Sequence, residues 1–255
     1  MPLMKLTLLP LAIAFTTLFG CRPPNQDLAT TTSAIRATTD TTAAGPPPPK
    51  AVKSNYGEWT ATLNSAYAES DVKSAADGTS RSDVCFLPKP QCALRMRGAR
   101  DAFRKVRHFH GTAVEAYADR LTPSLGVYIA LKDCSRPTLF VNPTYAGKSW
   151  IFLEQVAILV GADVAFEAEI KSVDRDAGSM SVLEIGHAVV SAANLDSLKK
   201  VADADEFVVR LSGSKGFATL SNAQRLVFRQ NLKAALAAFH RLSTATSGFE
   251  GPCGT

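Results

Sequence analysis

The sequence predicts an α+β fold: a mainly antiparallel β-sheet with a short helix and a C-terminal amphipathic helix packed on it. Three observations carry that prediction. Strand-like segments follow one another through residues 137–211 with few helical segments among them, and the turns between them are short. One long helical stripe then closes the chain, and strands in series with few helices argue for α+β with antiparallel pairing.

The elements follow in order. Glu58 to Leu63 alternates apolar and polar residues as a strand does. Residues 93–131 admit two readings at first, with Ala99 to Val106 on helical spacing and Leu125 to Leu131 as a strand. Pro137 to Val141 and Trp150 to Val160 read as strands, separated by turn-like Asn142 to Gly147. Val164 to Ile170 alternates, Asp174 to Gly178 reads as a turn, and Met180 to Val190 is a further strand. Leu195 to Ala204 is a short helix, and Phe207 to Leu211 returns to strand before Gly213 and Gly216. In the last element Ser221 and Gln224 form a capping box, and Phe228, Leu232, Ala235, Leu236, Phe239 and Leu242 recur at helical spacing. Residues 208–221, VVRLSGSKGFATLS, followed by that helix, are similar to the end of some exported bacterial α+β domains. The likeness spans at most 137–242, rests on structural residues and implies a fold without an activity.

The chain has 255 residues, 46% apolar and 20% charged, with a net charge of +5, an ordinary globular composition. No apolar run reaches the roughly 20 residues of a spanning helix, which excludes a multi-pass membrane protein built from helices. Residues 1–20 carry one charge, Lys5, and a 13-residue apolar stretch from Leu6 to Leu18, the size of a secretory core. The following Leu18-Phe19-Gly20-Cys21 resembles the lipobox of bacterial lipoproteins. That resemblance implies cleavage before Cys21, a thioether lipid on its sulfur and acylation of the new amine, a set of chains sufficient for stable anchoring. Arg22 stands where an Asp would signal retention in the inner membrane, so the resemblance points to the outer membrane of a cell envelope.

Residues 22–55 contain seven Thr, six Pro and no aromatic, so they cannot bury enough apolar surface to offset their ordering entropy. They read as a tether from the lipidated Cys21, with a coil reach of roughly 32 Å, leaving 56–255 as one globular domain. A proline-rich docking site is the alternative reading of this segment. Four cysteines remain: Cys85, Cys92, Cys134 and Cys253. An even number in an exported chain predicts two disulfides with three connectivities open. The prolines between Cys85 and Cys92 restrict that loop and favour a local pair, leaving Cys134 for Cys253. Paired C-x-x-C spacing is missing, so no metal site is expected at the cysteines.

His108 and His110 share one face of a strand, a geometry used by metal sites, with Glu115 and Asp119 following. Spacing supplies no further ligand, and a solvated histidine pair is the reading adopted. His187 and His240 stand apart. Ser212-Gly213-Ser214-Lys215 matches S-x-x-K formally, but in a glycine-rich turn rather than on a helix. Nucleotide and nucleophile-elbow motifs are missing, and no cofactor is implied. Arg95, Arg97, Arg100, Arg104, Lys105 and Arg107 crowd thirteen residues against Asp101 alone. Self-repulsion there is relieved by water or by an anionic partner, such as lipid phosphate, acidic glycan or acidic protein. Compartment and sparse aromatics argue against nucleic acid. The expected function is a membrane-anchored, non-enzymatic binding domain of the envelope, of immunity or adaptor type. A hydrolase of envelope polymers lacking a short motif is the alternative.

Overall fold

The computed structural model describes residues 55–86, 92, 94–112, 122–178, 181–249 and 253. The lipobox, Cys21, the tether up to residue 54, Glu115 and Asp119 lie outside them. The first element corrects the sequence reading. Asn55 caps a helix, its side chain accepting from the Gly57 amide at 2.8 Å, and α1 runs over Tyr56–Ala66. Trp59, Leu63 and Ala66 are its buried residues, on one helical face, and that face and the cap override the local alternation.

Twelve strands and two more helices follow among the described residues. They are β1 (Ala68–Ser74), β2 (Thr79–Cys85), β3 (Arg95–Asp101), β4 (Val106–Gly111), β5 (Ser124–Lys132) and β6 (Thr138–Gly147). Then come β7 (Leu153–Val160), β8 (Asp163–Glu169), β9 (Ser172–Ala177), β10 (Val182–Val189), α2 (Ala192–Asp203), β11 (Val208–Gly213), β12 (Gly216–Thr219) and α3 (Asn222–Ala245). One sheet of eight strands has the order β1-β2-β3-β4-β5-β6-β10-β9, and a second of four has β12-β11-β7-β8. Every pairing is antiparallel. The architecture is α+β and dominated by sheet.

Three expectations change. Ala99 to Val106 is no helix: β3 turns through 102–105 into β4, with Arg100 opposite Arg107. Asp174 to Gly178 belongs largely to β9, an exposed edge strand whose charges guard its unpaired backbone. Asn142 to Gly147 is not a turn but the continuation of β6 through Pro143. A proline inside a sheet removes a ladder donor. Here the β6–β10 register skips from Thr144↔Ile185 to Val141↔Ala188, and the Asn142 side-chain amide donates to the Gly186 carbonyl at 2.7 Å in its place.

The core lies on the inner face of the large sheet. Leu125, Val127, Ile129 and Leu131 of β5 alternate inward against Phe228, Leu232, Ala235 and Leu242 of α3, with Val156, Ile158, Val209 and Leu211 of the small sheet in the same cluster. Each fully buried side chain of this size contributes roughly 1.5–3 kcal/mol. Helix α3 begins at the predicted capping box, lies mainly on β5 and β4, and touches both other helices. Gly111 of β4 permits that approach, since a Cβ there would sit 2.1 Å from Asn231 Oδ1.

The crossover between the sheets is held by a buried acid. Phe152 adopts φ +56°, and with it the amides of Ile151, Phe152 and Leu153 converge on the Glu184 carboxylate at 2.8, 3.0 and 2.7 Å. Successive amides curled in this way form an anion nest. At 0% exposure Glu184 also meets Arg175 Nε at 3.4 Å, so its charge is compensated inside the fold. The cysteines come together as read from the sequence: Cys85 with Cys92, Cα atoms 5.5 Å apart, and Cys134 with Cys253 at 5.3 Å.

Candidate functional site

The six basic residues do not form one patch, because strand alternation divides them. Arg95 and Arg97 point outward and are exposed, while Met96 and Gly98, which alternate with them, are buried. Arg97 pairs with Asp83 across β2 at 2.8 Å. Arg104 and Lys105 are exposed in the β3–β4 turn, with Arg104 Nε 3.7 Å from Asp101. Arg100 and Arg107 alone turn inward, side by side on paired strand positions.

These two arginines lie against α1 and Tyr67. Arg107 is 12% exposed, donates to the Tyr67 hydroxyl, stands 4.0 Å from Glu69 and places its guanidinium 5.8 Å from the centre of the Trp59 ring. Burial pushes the Tyr67 phenol above its ordinary range, so it remains a neutral acceptor. Although burial alone would lower it, the Arg107 guanidinium is raised by Tyr67 and Glu69 and stays charged. Arg100 has one long hydrogen bond, 3.5 Å to the Tyr56 hydroxyl. The Nε–H groups of both arginines and the Trp59 indole N–H are buried without a partner among the described residues. Ser80, Ser82 and Glu69 line the cleft beside them, and Gly98 leaves room for the Ser82 hydroxyl, which a Cβ would approach to 2.5 Å. Like charges directly opposite one another on a sheet are destabilising, and unmet buried donors add to that cost. The arrangement is suited to receiving an oxyanion.

The outer face carries a second feature. His110, Tyr128 and Phe140 stand in line across β4, β5 and β6, with ring centres 5.3 and 4.9 Å apart. His108 flanks the row at 5.7 Å from Tyr128, and His187 of β10 joins it, with Nδ1 3.2 Å from the Tyr128 hydroxyl. Three of the four histidines therefore share one face, a gathering invisible along the chain because β10 returns beside β6. Burial lowers both imidazoles below their ordinary value, His110 to about 4, so both are neutral at pH 7. No group of three or more His, Cys, Asp or Glu among the described residues is arranged to hold a metal ion. His240 remains apart on the exposed side of α3.

The S-x-x-K match falls in the β11–β12 hairpin, where Lys215 Nζ lies 4.8 Å from the Phe152 ring centre. Gly213 is required there, as a Cβ would meet the Phe152 carbonyl at 2.2 Å. The residues that sequence reasoning missed are Tyr56, Trp59 and Tyr67 around the arginines and Tyr128 and Phe140 among the histidines. Their signal is the β3–β4–β5–β6 register, which no local spacing carries. No helix among the described residues is long and apolar enough to cross a membrane. No protein-family model, curated protein or solved structure matches this chain.

Proposed function

We propose that this chain is a lipoprotein of the bacterial envelope, anchored through acylated Cys21, whose folded domain binds an anionic group of an envelope partner between Arg100 and Arg107. The observation that carries the reading is the pair of inward arginines with unmet Nε donors. Two guanidinium groups side by side suit a phosphate or carboxylate, which accepts several charge-assisted hydrogen bonds at once. The reading is of binding rather than catalysis. Tyr67 is held neutral and Glu69 is drawn toward Arg107, so neither is placed as a free base. At about 10 Å³ the cleft has room for about one water. Entry of an oxyanion requires the Arg100 side chain, held by its single bond to Tyr56, to swing outward. The lipobox supports the anchor, and Arg22 beside Cys21 supports the outer membrane as its destination.

Two measurements on the full chain test the two halves separately. Titration with inorganic phosphate, followed by the arginine Nε–H resonances, is expected to shift Arg100 and Arg107 saturably. The shift should weaken in Arg100→Gln and with rising salt. Absence of a saturable shift at both arginines removes the anion site. Incorporation of labelled palmitate should vanish in Cys21→Ser, and labelling that persists removes the anchor.

A further inference from the structure

A mainly apolar cavity lies elsewhere, where the first half of α3 meets the ends of β5, β6 and β10. Its volume is about 280 Å³. That far exceeds the roughly 10–15 Å³ one water needs and falls just short of the roughly 300 Å³ at which small-molecule pockets begin. Leu125, Leu183, Ile185 and Val227 supply apolar wall. Ser124, Asn142, Thr144, Gln224 and Asn231 supply neutral polar groups, and no described lining residue is ionisable. Bringing a charged ligand into such a wall costs its hydration without return.

Asn231 sets this pocket apart from a packing defect. It is 3% exposed on α3, and its Nδ2 has no hydrogen-bond partner among the described residues. Its Oδ1 is directed at Gly111, which lies outside the pocket lining. Helices gain nothing from an asparagine at such a position, since an unmet buried amide costs about 1–3 kcal/mol. The last side-chain torsion of an asparagine is soft, so the amide can turn to an acceptor that enters the cavity. Gln224 gives its Oε1 to the capping box and Asn142 its Nδ2 to the Gly186 carbonyl. Asn231 Nδ2, by contrast, is a buried amide donor among the lining residues with no partner among the described residues, which makes it the donor proposed for a guest.

We infer that this pocket is a binding site for a small, uncharged, largely apolar molecule bearing a carbonyl, which accepts from Asn231 while its hydrocarbon part lies against Leu125, Leu183, Ile185 and Val227. The site is separate from the arginine cleft and does not depend on it.

The test titrates the full chain with 2-octanone, octane and octanoate, reading methyl resonances of Leu125, Leu183, Ile185 and Val227 and the Asn231 side-chain amide. The ketone should bind saturably and shift all of these, and octanoate should bind at least tenfold more weakly. Val227→Trp, which fills the cavity from its rim, should abolish binding while circular dichroism stays unchanged. Asn231→Leu should reduce ketone affinity about tenfold, the worth of one hydrogen bond, and leave octane unaffected. No saturable shift at these methyls, octanoate binding as tight as the ketone, or undiminished ketone affinity in a folded Asn231→Leu chain would each overturn the inference.

Discussion

Glu184 shows how one side chain can fix a junction between two sheets. Its two oxygens serve three backbone amides and Arg175, and the left-handed Phe152 is what brings those amides onto one centre. Glu184→Gln keeps the shape but points an NH₂ group at donors that need an acceptor. The expected loss is about 2–4 kcal/mol, visible as a lower urea midpoint. An unchanged midpoint would show that the nest contributes nothing. His110 makes a second prediction at this scale. Its folded pKa lies near 4, below the ordinary 6.5, because burial disfavours the imidazolium and His108 adds to the effect. The unfolded chain therefore binds more protons between those values. Stability should be complete above about pH 6.5 and fall as pH drops toward 4, by roughly 2–3 kcal/mol. His110→Gln should flatten that part of the pH profile, and an equally steep profile in the variant would place the loss on other groups.

Helix α3 is the element whose sequence and structure agree most closely. Its capping box, its stripe and its place on the sheet follow from Ser221, Gln224 and the spacing of Phe228, Leu232, Ala235 and Leu242. The close approach to β4 rests on a residue that no periodicity marks. Gly111→Ala would push a methyl into Asn231 and should cost about 1–3 kcal/mol by overpacking. Pairing it with Asn231→Ala should recover part of that loss in a double-mutant cycle, and strict additivity would disprove the contact. The strands at β5, β7, β8, β10 and β11 were legible because one or both faces are buried and their composition shows it. Strands β1 and β2 were not, since AESDVKS is almost wholly exposed, TSRSDVC buries only Ser82 and Val84, and neither carries apolar alternation. Helix α1 was misread because six residues of alternation fit either period, and the Asn55 cap decides between them. The same limit hid the arginine pair. Arg100, Arg104 and Arg107 sit at helical spacing, and only the β3–β4 hairpin shows that Arg100 and Arg107 face inward together while Arg104 is left in the turn.

At the scale of the whole molecule the question is how the end of the chain is kept on the body. Beyond α3 the Thr246 hydroxyl donates to the Leu242 carbonyl at 2.8 Å, and Arg136 in the β5–β6 turn donates to the Ser247 carbonyl at 3.3 Å. Cys253 then meets Cys134 of that same turn, 119 residues away in sequence. Cys134 is fully buried in the core cluster and Phe249 packs against it, so a tail tied there also seals the end of the core. Cross-linking a loop of this length removes more entropy from the unfolded chain than the short Cys85–Cys92 loop does. The chain-entropy relation gives about 4.9 kcal/mol for the long loop against about 2.4 kcal/mol for the short one. Cys134→Ser with Cys253→Ser should therefore lower the urea midpoint about twice as far as Cys85→Ser with Cys92→Ser, and non-reducing peptide mapping should recover each link within its own pair. Equal losses from the two double variants would mean that burial at Cys134, rather than loop closure, sets the effect. A third variant separates these causes. Cys134→Ala with Cys253→Ala restores the apolar character of the buried position without the bond, so a loss that persists there belongs to the closed loop.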